Sequence, residues 1–599
     1  MPQEIRPIRP VIYQLFVRMF GNTNETRKEG GTIGENGCGK FVDINDAALG
    51  SLRDLGFTHV WLTGVLEQAS GTSYPNRPAD EPEILKGKAG SPYAIRDYFD
   101  VCPDYATDPS RRLEEFGDLV ARCHDHGLKV IIDFVPNHVA RSYASDVHPE
   151  HSFGAGDDKE VFFARDNHFY YLGCNDPGEG PPLRLPTSHG RHYGPEAEHG
   201  KVTGNNVISW QPSIHDWYET VKLNYGHDFT TGRDTSHLPG SDADASDVPK
   251  TWRTMDEILS FWQQKGVDGF RADMAHMVPM EFWRWAVKRA RSRESDVFFS
   301  AEAYDDDPAK LTDGNVLDAL LDAGFDAVYD KKTYDIVEGI YEKGKWANDL
   351  DDRPSDTLLF HRALRFAENH DEVRLACSEV WGGIGMEVGR PASAVLFGLG
   401  RGPIMIYNGQ EIGEAGGDRA GFSQDGKRTT IFDYWSMKEM VKWVNGHQFD
   451  GGRLSEPQQH LRAWYEKLLK VLANPAFTDG EYFGLNYFNR ENENFGRIDG
   501  ETVSGHWIYA FLRHDPRSGQ SFMVIVNFHP TQEMTSLKVR IPEGAWDFMG
   551  RMDDEMWAFH DRLEGSWQTS IARDDVGMEG VDVGELEALG VAVLEISKW

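Results

Sequence analysis

The 599-residue chain carries 62 Lys plus Arg against 96 Asp plus Glu, a formal net charge of −34. A surface this acidic repels phosphate backbones and anionic lipid, so nucleic acid and membrane are excluded as partners, while neutral or cationic ligands remain open. The length predicts roughly two to four domains, and the 17 Trp fit an ordinary core or the flat-ring walls of a sugar cleft equally well.

A first strand is expected almost at once, from Val11, followed by a Gly- and Asn-rich loop. Ala47 to Leu55 has helical spacing, Gly56 stops it, and a second strand runs from His59 to Leu66. After a long loop containing Ser91-Pro-Tyr-Ala-Ile-Arg-Asp97, Arg112 to His126 reads as an amphipathic helix, and Lys129 to Asp133 as a buried strand running into Phe-Val-Pro-Asn137-His138. From Ala140 to about Asn224 the rhythm fails. That segment is too long for a simple loop in a compact domain and is expected to be an inserted subdomain. Its histidines, His148, His151, His168, His189, His192 and His199, show no metal-ligand spacing and read as solvated loop residues.

The alternation resumes with a helix from Trp252 to Lys265, a strand in Gly266–Pro279, and a helix from Met280 to about Arg291. Further strands are expected at Asp296 to Ser300, Phe325 to Tyr329, Ala363 to Ala367 and Pro403 to Tyr407, and a closing helix at Leu461 to Leu472. Eight apolar strands alternating with helices predict an α/β fold, a closed (β/α)8 TIM barrel, with its active site at the C-terminal strand ends. Beyond Pro475 the texture turns to short alternating strands, Trp507 to Arg513, Phe522 to Phe528 and Val591 to Ile596, which predict a C-terminal all-β sandwich. The expected domains are residues 1–138 and 226–474 for the barrel, 139–225 for the insertion, and 475–599 for the β-domain.

Cys38, Cys102, Cys123, Cys174 and Cys377 are odd in number and scattered, with no CxxC pair. They favour a reducing compartment over a disulfide framework or a zinc site. The N-terminus has no signal-peptide core, and Val11 to Phe20 is too short to span a bilayer, so a cytoplasmic protein is expected.

The chemistry gathers on Gly266–Pro279. Residues two apart on a strand share a face, so Arg271 and Asp273 point the same way, the cation holding the carboxylate ionised and aimed. Taken alone, that pair reads as a structural ion pair. Glu302 and Asp371 also end strands of the same barrel, however, and three carboxyl groups on one rim cannot all stay ionised. One charged and one neutral carboxyl is what a retaining glycosidase needs. Asp273 is the better nucleophile, and Glu302, among Phe299, Ala301 and Ala303, the better acid/base. Asp371 could grip sugar hydroxyls, as could His138 and His370.

Asp133-Phe-Val-Pro-Asn137-His138, Gly269-Phe-Arg271-Ala-Asp273, Glu302 after a β run, and Asn369-His370-Asp371 occur in the order and context of the α-amylase family, glycoside hydrolase family 13, which this chain resembles over nearly its whole length. The resemblance implies Asp273 as nucleophile, Glu302 as general acid/base and Asp371 as transition-state stabiliser. It implies Arg271, His138 and His370 at the cleaved sugar and Tyr93, four before Asp97, as a stacking platform. His276, with Asp97 and Arg374, joins the expected substrate-binding set. Val221-Lys-Leu-Asn224 looks like the family's extra motif at the end of the inserted domain. Many members carry Lys and His three and four residues after the nucleophile. Here His276 and Met277 stand there, and His276-Met-Val-Pro279-Met-Glu-Phe282-Trp-Arg-Trp285 looks more like members that transfer maltosyl units.

No cofactor is expected for the chemistry. The resemblance implies a structural calcium at Asn137. Calcium takes about six to eight oxygens, and only Asn137 and acids among Asp157 and Asp158 offer themselves, so a plain hydrogen-bonded Asn is the alternative. The expected function is a retaining enzyme cleaving α-1,4-glucosidic bonds of α-glucans or malto-oligosaccharides. A 4-α-glucanotransferase or maltosyltransferase with the same triad is the nearest alternative. A non-catalytic sugar-binding protein should lack one of the three acids, and all three are present.

Overall fold

Eight short, almost wholly buried runs build the centre of the computed structural model, which describes residues 9–173, 180–189, 191–355, 357–416, 425–551, 556–565 and 568–599. They are β1 (Val11–Phe16), β2 (His59–Thr63), β3 (Lys129–Phe134), β4 (Gly269–Ala272), β5 (Phe298–Ala301), β6 (Ala327–Tyr329), β7 (Ala363–Phe366) and β8 (Ile404–Tyr407). Each pairs in parallel with its sequence neighbours, and β8 closes on β1 through Val11 opposite Ile404. Strands covered on both faces need continuous rather than alternating apolar residues, which is why these runs stood out in the sequence.

The helices between them lie outside the barrel: α1 (Asp46–Leu55), α2 (Arg112–Asp125), α3 (Lys250–Gln264), α4 (Met280–Arg293), α5 (Val316–Asp322), α6 (Lys331–Glu342), α7 (Gly389–Gly398), which is buried on nearly every side, and, after β8, α8 (Glu456–Leu472). Gly56 ends α1 in the left-handed region at φ 112°, a conformation glycine adopts without strain. The second strand stops at Thr63, short of the expected Leu66. Gly64, at φ 66°, turns the chain there, and Leu66–Gln68 instead pairs with Ile95–Val101 in a separate antiparallel hairpin. The closing helix begins earlier than expected, at Glu456, because Ser455 and Gln458 cap it reciprocally.

The insertion leaves the barrel after β3. Its stem is a short antiparallel pair, His138–Ala140 with Thr220–Lys222. Its described residues form single turns and isolated bridges around a small core of its own, Tyr170, Leu172, Leu183, Leu185, Tyr193, Val202, Trp210 and Tyr218. Cys174 lies outside the described residues.

The C-terminal part is a six-stranded antiparallel sheet of β9 (Glu481–Gly484), β10 (Ile508–Asp515), β11 (Gln520–Asn527), β12 (Met556–Asp561), β13 (Gln568–Ala572) and β14 (Val591–Lys598), in the order β9-β10-β11-β14-β12-β13. Alternation along β10 and β11 sends Tyr509, Phe511, Phe522 and Val524 into the barrel's core. Ala510, Leu512, Met523 and Ile525 face the other way, onto the ribbon formed by Met534–Val539 and Val581–Leu586. The two layers share one core, the expected all-β arrangement. Among the described residues no helix is long and apolar enough to cross a membrane.

Candidate active site

The barrel register brings the acids together. Arg271 pairs with Ser300 and Ala272 with Ala301, so Asp273 and Glu302 are the next residues out, side by side at the ends of β4 and β5. Arg271, itself fully buried, holds both: Nη1 lies 2.7 Å from Asp273 Oδ1 and Nη2 lies 2.7 Å from Glu302 Oε2. The guanidinium is surrounded by the rings of Trp61, Tyr93 and Tyr329, at 5.2, 5.4 and 5.7 Å from their centroids. Their π faces favour the cation, and the Tyr329 hydroxyl lies 3.2 Å from its Nε.

Just past Asp273 the backbone turns left-handed at Met274, φ 45° and ψ 42°, an uncommon conformation for a residue with a Cβ. The turn aims the Met274 N–H at Glu302 Oε2, 3.0 Å away. On the other oxygen, the Tyr304 hydroxyl donates to Glu302 Oε1 at 3.1 Å. Both oxygens of Glu302 are therefore fixed by groups outside its own strand.

Burial, and then the Glu302 carboxylate, push the Asp273 carboxyl well above the usual carboxylate range, against the pull of Arg271. The expectation that Arg271 alone keeps Asp273 ionised is therefore too simple. One guanidinium faces the buried carboxyl groups of Asp273 and Glu302, with that of Asp133 at 3.4 Å, and it neutralises one charge, so Asp273 retains a proton more readily than an isolated acid would.

Asp371 lies beyond β7 and is half exposed, its side chain 49% accessible. Burial raises its carboxyl, but His370 and then Arg271 and Arg428 outweigh that and hold it below the usual range. His370 Nε2 lies 2.9 Å from Asp371 Oδ2 and 2.7 Å from the Tyr93 hydroxyl, and its Nδ1 meets Gln14 Nε2 at 2.7 Å. The Tyr93 ring stacks on His370 at 5.2 Å and 23°. Tyr93, His370, Asp371, Arg271, Asp273 and Glu302 thus form one connected group.

Four other expected site residues are held elsewhere. Asp97 is buried in the Leu66–Gln68/Ile95–Val101 hairpin and accepts from the N–H groups of Phe99 and Asp146, at 2.9 and 2.8 Å. Arg374 is buried under the rim, bonded to Glu368, Thr429 and the Asn408 carbonyl, with its guanidinium 4.0 Å from the Tyr407 ring. His276 is fully buried, with Nε2 2.8 Å from Asp307. None of the three has a hydrogen bond or ion pair to Asp273, Glu302 or Asp371. His138 packs against Trp217 at 5.2 Å and meets Asn137 Nδ2 through Nδ1 at 3.1 Å. Burial, then Lys222 and Lys86, push its imidazole down to about 3, so it stands neutral on the insertion side.

Other contributors were only partly legible in the sequence. Asp133, at the end of β3, accepts from Trp61 Nε1 and the Gly64 N–H and lies 3.4 Å from both Arg271 and the Tyr93 hydroxyl. Burial pushes its carboxyl up against the pull of Arg271. Its position as a strand-end acid was readable; its partners were not. Gln14 gave no signal, and Lys222 stood out only as part of the Val221–Asn224 motif, without its partners.

Lys222 bears on the calcium expected at Asn137. Its side-chain amine donates to Asn137 Oδ1 and to the Met277 carbonyl, so both oxygens are already engaged. Asn137 Nδ2 is likewise engaged, donating to the Gly204 carbonyl at 2.8 Å. Asp157 accepts from the N–H groups of His168 and Phe169 and from the Tyr171 hydroxyl, and Asp158 from its neighbour Glu160. This donor set does not fit a cation needing about six to eight oxygens.

Comparisons with known proteins bear on the family and the fold. The family described as "Alpha amylase, catalytic domain" matches residues 14–453, and "Alpha amylase, C-terminal all-beta domain" matches residues 503–597. Alpha-amylase 3 of Dictyoglomus thermophilum is 23% identical over 480 residues, covering 77% of this chain and 76% of that protein. Maltase 1 of Drosophila virilis is 28% identical over 264 residues, covering 44% of this chain and only 31% of its own length. The crystal structure of the α-amylase from H. orenii has the same fold, with a TM-score of 0.58 at 19% identity, covering 99% of this chain and 100% of that one. The catalytic-domain match runs from within β1 past β8 and takes in every acid of the site, and the chain belongs to the α-amylase family of glycosidases.

Proposed function

We propose that the enzyme hydrolyses α-1,4-glucosidic bonds of α-glucans or malto-oligosaccharides with retention of configuration. The observation that carries the reading is the Arg271 fork, which places Asp273 and Glu302 on adjacent strand ends. Neighbouring strands run about 4.8 Å apart, in keeping with the roughly 5–5.5 Å between carboxyl groups in retaining enzymes.

Arg271 holds Asp273 Oδ1, so Oδ2 is the oxygen to attack the anomeric carbon. As the C1–Oδ2 bond forms, the glycosidic C1–O bond breaks, and the departing oxygen takes its electron pair together with the proton delivered by Glu302. Glu302, now a carboxylate, next removes a proton from water. The hydroxide oxygen bonds to C1, the ester to Asp273 breaks, and both carboxyl groups return to their starting states. Asp371, held ionised beside His370, grips ring hydroxyls and favours the positive charge that develops at C1. Tyr93, stacked on His370, offers its ring to the sugar face, and His138 borders the site from the insertion. No metal enters any step.

The same ester can be taken by a sugar hydroxyl instead of water, which would make the enzyme a 4-α-glucanotransferase or maltosyltransferase. The sequence favouring that second reading is His276-Met277, where His276 is turned away onto Asp307. We place the activity in the cytoplasm, a reading supported by the free thiols of Cys38, Cys102, Cys123 and Cys377.

Proton NMR of a maltotetraose digestion tests both points. Hydrolysis with retention predicts the α-anomer as the first product, with reducing ends accumulating. Initial β-anomer would overturn the retaining mechanism, and products longer than the substrate without net reducing-end gain would replace hydrolysis by transfer.

A further inference from the structure

Where the insertion crosses α3, away from the acids, the chain Val147-His148-Pro149-Glu150-His151 makes a single 3-10 turn over Pro149–His151. Such a turn has three residues per revolution, so His148 and His151 come to the same side. Glu150 Oε1 lies between them, 3.1 Å from His148 Nδ1 and 3.8 Å from His151 Nε2, and one ligand atom from each of the three falls within 4.8 Å of the others. Ligand atoms about 2.0–2.1 Å from a tetrahedral zinc lie about 3.3 Å apart, so the three converge to within a small side-chain adjustment.

The surroundings fix the rings. Glu257 and Phe261, four residues apart on α3, share a helix face, and both meet this turn. Glu257 Oε2 lies 2.8 Å from His151 Nδ1. A carboxylate on Nδ1 keeps that nitrogen protonated and leaves the Nε2 lone pair for a metal, the carboxylate–histidine–metal arrangement. Phe99 packs on both imidazoles, at 4.8 and 5.4 Å, and Phe261 edges onto His148 at 5.9 Å. The three ligating side chains are all partly exposed, so water can fill the fourth position.

We propose that His148, Glu150 and His151 form a site for a divalent transition metal of the zinc type, oriented by Glu257, which clamps the base of the insertion to α3. The motif read as solvated histidines because its ligands sit in a turn rather than on a helix or in a CxxC frame, and its orienting carboxylate comes from more than a hundred residues away.

Titration calorimetry of the intact chain with Zn2+ tests it. One equivalent is expected to bind with a dissociation constant in the micromolar range or tighter. Glu257→Gln should weaken it about 10–100-fold, and His148→Ala with His151→Ala should remove that equivalent. All of these side chains are partly exposed, and circular dichroism confirms that the variants fold; Glu150→Gln serves as a second, gentler ligand removal. Absence of a stoichiometric site in the wild-type chain, or one unmoved by the His and Glu150 substitutions, would overturn the proposal.

Discussion

Arg271 is the residue on which the site turns. A single buried guanidinium meets the carboxyl groups of Asp273, Glu302 and Asp133 and three aromatic rings, and Glu302, Tyr329, Tyr93 and Asp273 raise its own proton affinity further despite its burial. It stays charged, so the titration belongs to the acids. Asp273 is raised above its unfolded value of about 3.9, which means the folded chain binds that proton more tightly than the unfolded chain. Stability from this group is therefore greatest at acid pH and falls as pH rises from about 4 towards the raised value. Asp273→Asn should remove that penalty. The variant is expected to melt higher than the parent at pH 7, with the difference shrinking towards pH 4. Calorimetric scans at the two pH values measure it; a variant less stable at pH 7 than at pH 4, relative to the parent, would mean that Asp273 is stabilised as a carboxylate in the fold.

At the scale of elements, the insertion's stem and the loop after β4 are joined by one side chain. Lys222 spans from the antiparallel stem to Asn137 at the exit of β3 and to Met277 beyond the nucleophile. Burial pushes its ammonium down to about 7. Lys222→Met should leave the Asn137 oxygen and the Met277 carbonyl without a donor, costing about 1–3 kcal/mol for each buried acceptor, and should loosen the loop that aims Asp273. A fall in melting temperature with a matching fall in turnover, neither restored by added Ca2+, is expected in thermal shift and rate assays. Full rescue by Ca2+ would show that the site accepts calcium after all. Lys222 was illegible in the sequence because its partner is 85 residues away and the extra motif around it pointed to the fold rather than to an ion. The insertion resisted reading for a similar reason. Its stability comes from a nonperiodic cluster and from bonds such as Arg141 to the Tyr218 carbonyl and Glu196, which leave no spacing to detect. The barrel strands were legible because burial on both faces writes a continuous apolar run. Asp97, Arg374 and His276 sat in or near recognisable motifs, yet each turns to backbone or an internal partner, a direction that residue type alone does not encode.

Over the whole molecule, the account depends on convergence. Asp133, Arg271, Asp273, Glu302 and Asp371 come from four strands and more than two hundred residues of chain, and the closed barrel sets their ends on one rim. The C-terminal sheet supports the far side of that barrel, with Phe511 and Phe522 reaching the core beside Phe397 and Phe477, so the rim is braced from outside the catalytic unit. The central claim is that this rim forms and breaks an ester at Asp273. Its most direct measurement is mass spectrometry of peptides from the Glu302→Gln variant incubated with α-maltosyl fluoride, whose fluoride leaves without an acid while the missing base slows breakdown. The account predicts a maltosyl adduct on the peptide containing Asp273; an adduct confined to Asp371 or Asp133, or none while fluoride is released, would contradict it.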